Sequence, residues 1–156
     1  VLADRTGTLE ARRRELAAVP EAGFRERAIH KYLQLLIAVH YATVDEVRGY
    51  APDRQLNLFR AALAGVHLWY TLQKRWAPPL KWWTRDVDRL GIRPDTRAAL
   101  EAAALNPSVD TATNLREHLK TEMRHAGFPE VDDIVPTFAR TFLPERREAV
   151  YRDSYL

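Results

Sequence analysis

Apolar side chains recur along this chain with the 3.6-residue period of amphipathic helices, and turn residues divide the pattern into segments. Thr8 can cap a helix over Leu9 to Val19, with Leu9 and Leu16 one heptad apart and three arginines facing out; Pro20 ends it. The next helix is predicted over Phe24 to Arg48, on a stripe of Ile29, Leu33, Leu36, Ile37, His40, Val44 and Val47, and Gly49 stops it. Pro52 or Asp53 opens a third, which runs to about Arg75 and carries two stripes. One is Leu56, Phe59, Leu63, Val66 and Tyr70; the other is Leu58, Ala62, Gly65, Trp69, Leu72 and Trp76. A helix apolar on two sides is packed on two sides, so this one is expected at the centre, with Phe59, Leu63, Val66 and Trp69 in the core. Its remaining face holds Asn57, Arg60, His67, Thr71 and Lys74.

Pro78-Pro79 breaks this helix and starts another, about Leu80 to Leu90, ending at Gly91. Pro94 and Asp95 begin an Ala-rich helix to Leu105. Asn106-Pro107 is a turn, and Ser108 is a cap for a helix to His125, with Leu115, Leu119 and Met123 inward and Gly127 as its stop. From Pro129 onward the prolines at 136 and 144 divide the chain into short helices. The one strand candidate is the opening Val1-Leu2-Ala3, running into a turn at Gly7. The fold class is all-α, a bundle of about five to seven helices with a short N-terminal strand left from a preceding domain.

Bulk composition narrows the function classes. At 156 residues, 46% apolar and 29% charged, the chain reads as one globular domain. It has no cysteine, which excludes disulfides, a thiol nucleophile and cysteine-ligated metal and fits a cytoplasmic protein. No run approaches the roughly 18 apolar residues of a membrane span. The net charge is only +3, and acidic residues are interspersed with basic ones, so a general nucleic-acid surface is not favoured. Twenty of the 24 basic residues are arginine, the side chain suited to forked contacts with carboxylate and phosphate.

Side chains for catalysis are sparse. Ser108 and Ser154 are the only serines, and the six glycines are scattered singly, so neither a nucleophile elbow nor a phosphate loop is present. Asp86 and Asp88 diverge by about 200° on a helix and cannot share a metal. Asp132-Asp133 reads as a helix cap. His30 reads as a solvated surface residue and His40 as a core histidine. His118, Glu122 and His125 could share a helix face, but no His-Glu-x-x-His or acidic loop accompanies them, and no metal site is assigned. Arg60 and His67, two helical turns apart, resemble the arginine–histidine pair of helical HEPN ribonucleases, which implies action on a ribose-phosphate backbone, with a homodimer implied.

All four tryptophans fall between Trp69 and Trp83, in Leu68-Trp69-Tyr70-Thr71-Leu72-Gln73-Lys74-Arg75-Trp76-Ala77-Pro78-Pro79-Leu80-Lys81-Trp82-Trp83. Two readings stand: rings packed into a core, or a stacking wall with cations for an anionic, planar ligand. Trp82 and Trp83 diverge by about 100° on a helix, so only one can face a cleft. This segment resembles the signature of the helical domain in proteins related in plan to aminoglycoside nucleotidyltransferases. The opening Val1-Leu2-Ala3-Asp4-Arg5-Thr6-Gly7-Thr8-Leu9, followed by an Arg-rich helix and Pro20, resembles the junction that leaves their catalytic domain. The similarity spans about residues 1 to 126.

The resemblance implies that residues 1–7 end a nucleotidyltransferase-fold domain and that 8–156 form the helical domain on the acceptor side of an interdomain cleft. It implies magnesium and a nucleoside triphosphate for the parent, held by a Gly-Ser turn and paired aspartates that this chain lacks. The implied partners are the preceding domain and a small-molecule acceptor, with Arg75, Lys81, Trp82, Tyr70 and Lys74 as substrate-binding groups. The rivals are the ribonuclease using Arg60 and His67, and a non-catalytic interaction domain whose aromatic cluster is its interface.

Overall fold

The computed structural model describes residues 21–78, 82–83, 92–128, 131, 133 and 134. The predicted opening strand, the helix over Leu9 to Val19, most of the Leu80 to Leu90 helix and the chain beyond Ile134 lie outside the described residues. Within them the protein is all-helical, with four helices: α1 (Phe24–Arg48), α2 (Ala51–Leu72), α3 (Pro94–Leu105) and α4 (Val109–His125).

The helix ends follow from local chemistry. Gly49 adopts a left-handed φ of 74° and closes α1, its N–H bonding to the Glu46 carbonyl while Tyr50 N–H reaches Asp45. Gly127, at φ 83°, closes α4 the same way, with Phe128 N–H on the Met123 carbonyl. Ser108 caps α4, accepting from Thr111 N–H at 3.1 Å while the Thr111 hydroxyl accepts from Ser108 N–H at 2.9 Å. Pro94 opens α3, where the absence of an N–H costs nothing.

The helices alternate in direction. Asn57 near the start of α2 donates to Asp45 near the end of α1 at 2.8 Å, and Thr96 at the start of α3 donates to Glu122 at the end of α4 at 3.0 Å. Arg25 in the first turn of α1 donates to the Gly127 carbonyl just past α4. The start of α1, the end of α2, the start of α3 and the end of α4 thus share one end of the bundle. Helix α2 packs against all three others, as its two apolar stripes require.

The rows that do the packing differ from the predicted ones. Helix α1 meets the core through Ala28, Leu35, Ala38 and Ala42 as well as Ile29, Tyr32 and Leu33, and α2 answers with Ala61, Ala64 and Leu68. Small side chains allow a close antiparallel approach, so the alanine rows hold the interface. Ile37, Val47, Leu56 and Phe59 are turned outward, Val47 to 85% exposure and Phe59 to 53%. Leu63 is half-buried, and Trp76, predicted on a core stripe, is 51% exposed because it stands four residues beyond the end of α2. His40, predicted in the core, is exposed and packs beside Tyr41 at a 5.6 Å centroid distance, and His30 is half-buried.

The tightest approach is at Gly65, where a Cβ would stand 2.6 Å from Leu115 Cδ2 and 3.3 Å from Leu119 Cδ1 on α4. Leu115 and Leu119 are fully buried and have nowhere to retreat. Gly65→Val is expected to lower unfolding free energy by about 2–3 kcal/mol through overpacking. Adding Leu115→Ala should recover part of that loss, a positive coupling that chemical denaturation of the two single variants and the double variant would measure.

Candidate functional site

The stretch from Trp69 to Trp76 lies at the bundle end just described, and the structure divides the four tryptophans. Trp69 and Tyr70 are buried in the last turns of α2, ring edge against face at 5.1 Å and 81°. Thr71 beside them is buried and donates to the His67 carbonyl at 2.8 Å. Trp83 is also buried, whereas its neighbour Trp82 is 46% exposed, the split that adjacent positions on a helix demand. Two rings, Trp69 and Trp83, are therefore core residues, and two, Trp76 and Trp82, face solvent.

The corner turns at Lys74, which closes α2 as Gly49 and Gly127 close α1 and α4. Lys74 N–H bonds to the Thr71 carbonyl at 2.8 Å and Arg75 N–H to the Tyr70 carbonyl at 3.0 Å. Lys74 has φ 54° and is the only non-glycine described residue with a positive φ. That conformation costs a side-chain-bearing residue roughly 1–2 kcal/mol. Its side chain supplies part of the compensation: Nζ lies 2.7 Å from Glu21 Oε2 and 5.3 Å from the centre of the Phe24 ring.

Phe24 in turn packs edge-on against Phe128 at 5.8 Å, and Arg25 covers the other ring at 4.7 Å. The first turn of α1 thus clasps the closing turns of α2 and α4. Arg27 on the same turn holds its guanidinium 5.8 Å from the Trp76 ring and donates to the Ala22 carbonyl at 3.0 Å.

Of the five substrate-binding residues that the resemblance implies, Arg75 and Trp82 are exposed. Lys74 is exposed but engaged with Glu21 and Phe24, and Tyr70 is fully buried in the core. Lys81 lies outside the described residues. Sequence reading missed Trp76 and Arg27. Trp76 was hidden by extending helical periodicity past the closing turn at Lys74, and Arg27 carries no pattern that marks it.

The Arg60 and His67 pair lies on the side of α2 turned away from α4. Arg60 is exposed and donates to Asn57 Oδ1 at 3.4 Å; His67 is half-buried. Burial, and then the nearby Lys31 ammonium, lower the His67 pKa below its ordinary value. Glu122, between His118 and His125 in sequence, accepts from Thr96 and lies 3.6 Å from Arg93. Among the described residues no group of three His, Asp or Glu side chains is placed to hold a metal ion. Comparison with family models, with curated proteins and with solved structures gave no match.

Two measurements test these assignments. Lys74→Gly should leave unfolding free energy within about 1 kcal/mol of the original, because relief of left-handed strain offsets the loss of an exposed ion pair. A fall of more than about 2 kcal/mol would mean that the clasp outweighs the strain. His67 prefers its neutral form when folded, so the stability it contributes is complete above its unfolded pKa, near 6.5, and is lost as pH falls below that value. His67→Gln should therefore flatten the fall in stability between about pH 7 and pH 5 relative to the parent chain.

Proposed function

We propose that this chain is the acceptor-side helical domain of a nucleotidyltransferase-like protein, and that it presents basic and aromatic groups to a nucleotide or acceptor bound against a preceding domain. The observation that carries the reading is the division of the aromatic segment: Trp69 and Trp83 are buried, while Trp76, Trp82 and Arg75 are exposed. A planar base can stack on an exposed indole, and a guanidinium offers forked contacts to phosphate oxygens. Phosphoryl transfer depends mainly on positioning and charge neutralisation, which groups of this kind supply. The reading leaves magnesium and the triphosphate to the preceding domain and assigns no residue of this chain to the metal.

A second reading rests on one observation. Arg60 and His67 share the outward side of α2, and His67 is held toward its neutral form, the form a general base requires. In that reading the chain is a HEPN-type ribonuclease.

The test is titration of the parent protein with ATP. Arg75→Glu combined with Trp82→Leu is expected to weaken binding at least tenfold, about 1.4 kcal/mol, with the melting midpoint nearly unchanged because both side chains are exposed. Unaltered ATP affinity would overturn the proposal. Cleavage of single-stranded RNA that is lost in His67→Ala would put the ribonuclease reading in its place.

A further inference from the structure

Trp76 stands four residues beyond the end of α2, outside any helix. Its backbone is fixed on both sides: Arg75 N–H bonds to the Tyr70 carbonyl at 3.0 Å, and Ala77 packs against the core. The ring is 51% exposed, and the Arg27 guanidinium lies over it, 5.8 Å from its centre. A flat ring with a guanidinium over one face keeps much of its other face open, in line with that exposure.

Arg27 is itself held. In the first turn of α1 its backbone N–H bonds to the Gly23 carbonyl and its Nη2 donates to the Ala22 carbonyl, both at 3.0 Å. Gly23 has a φ of 75°, which glycine takes without strain, and a Cβ built there would stand 3.6 Å from Arg27 Nη1. The turn over residues 21–23 therefore wraps closely around the guanidinium. The same turn carries Glu21, which holds Lys74 two residues before Trp76. Both partners of the Arg27–Trp76 contact thus stand on fixed backbone.

We propose that Arg27 is a positioning residue: it holds the Trp76 ring with one face open, and the base of a bound nucleotide stacks on that face. The inference rests on the nucleotide-binding reading above and deepens it, naming Trp76 as a ring that takes the base and Arg27 as the side chain that orients it. An indole on a non-helical stretch has several staggered rotamers open to it, and fixing one beforehand lowers the ordering cost of stacking. A cation over the far face leaves the near face to the base, and every nucleobase has a π-face to offer. Arg75, the next residue along the chain, is exposed and suited to the phosphates.

The experiment labels the parent protein with fluorotryptophan and follows it by fluorine NMR, the Trp76 signal being identified by its loss in Trp76→Phe. Arg27→Met should speed the local motion of the Trp76 ring before any ligand is added, and Arg27→Lys, which keeps a cation, should restore most of the restraint. The signals of the buried Trp69 and Trp83 should not move, which separates release of one ring from unfolding. The same variants are then titrated with ATP and with inorganic tripolyphosphate. Trp76→Leu should weaken ATP at least fivefold and Arg27→Met about threefold, with tripolyphosphate affinity unchanged in both. Unchanged Trp76 motion in Arg27→Met, with ATP still bound, would overturn the positioning role alone. An equal loss of tripolyphosphate would overturn it too, since Arg27 would then be a phosphate contact. A parent protein without affinity for ATP would remove the nucleotide reading and the role of the ring with it.

Discussion

Gly65 sets how closely α4 can approach the middle of α2, and the other contacts of the bundle are arranged around that approach. With no side chain at this position, Leu115 and Leu119 sit directly over the α2 backbone, where a Cβ would collide with them. On the neighbouring side of α2, where α1 packs, alanines at 61 and 64 are buried, as are alanines at 38 and 42 of α1. A central helix flanked by small residues is gripped closely on two sides. Its third side remains outside the bundle, and it is there that Leu56, Phe59 and Arg60 face solvent.

The same grip fixes the corner at the end of α2. Because Trp69 and Tyr70 are buried, the chain leaves the helix in a set direction, and Lys74 accepts a backbone conformation that glycine takes at the ends of α1 and α4. A lysine there carries strain that glycine avoids, yet it gives a long cationic side chain that reaches Glu21 and Phe24 at the start of α1. The corner is thereby tied to the first turn of α1, which is tied in turn to Gly127 and Phe128 after α4. Trp76 and Arg75 project from a frame fixed at several points. Pre-organisation of that kind lowers the ordering cost of binding a ligand.

Helix existence was legible because punctuation and periodicity agree. Gly49, the Pro94-Asp95 pair, Ser108 and Gly127 mark the ends of α1, α3 and α4 within a residue or two, and the inward row Leu115, Leu119 and Met123 lies in the core. The facing of α1 and α2 was less legible. A stripe drawn through the largest apolar residues selects Ile37, Val47, Leu56 and Phe59, whereas a close antiparallel pair is held by alanines, whose small apolar surface gives periodicity a weak signal. Trp76 was assigned to the core because nothing in Gln73-Lys74-Arg75 announces a helix stop; a lysine in the left-handed region is rare. The split between Trp82 and Trp83 could be read from geometry alone, but not which of the two faces out. Arg27 meets Trp76 across 49 residues of sequence, a pairing that only the folded chain reveals.

The most direct test of this account is the solvent access of the four tryptophans, measured on variants of the parent protein that retain one of these four at a time, with phenylalanine at the other three. Trp69 and Trp83 should show blue-shifted emission and resist acrylamide quenching, while Trp76 and Trp82 should be red-shifted and readily quenched. ATP should then protect the second pair and leave the first unchanged. Equal quenching of all four, or ATP protection confined to Trp69 and Trp83, would contradict the division of the corner into anchor and binding surface.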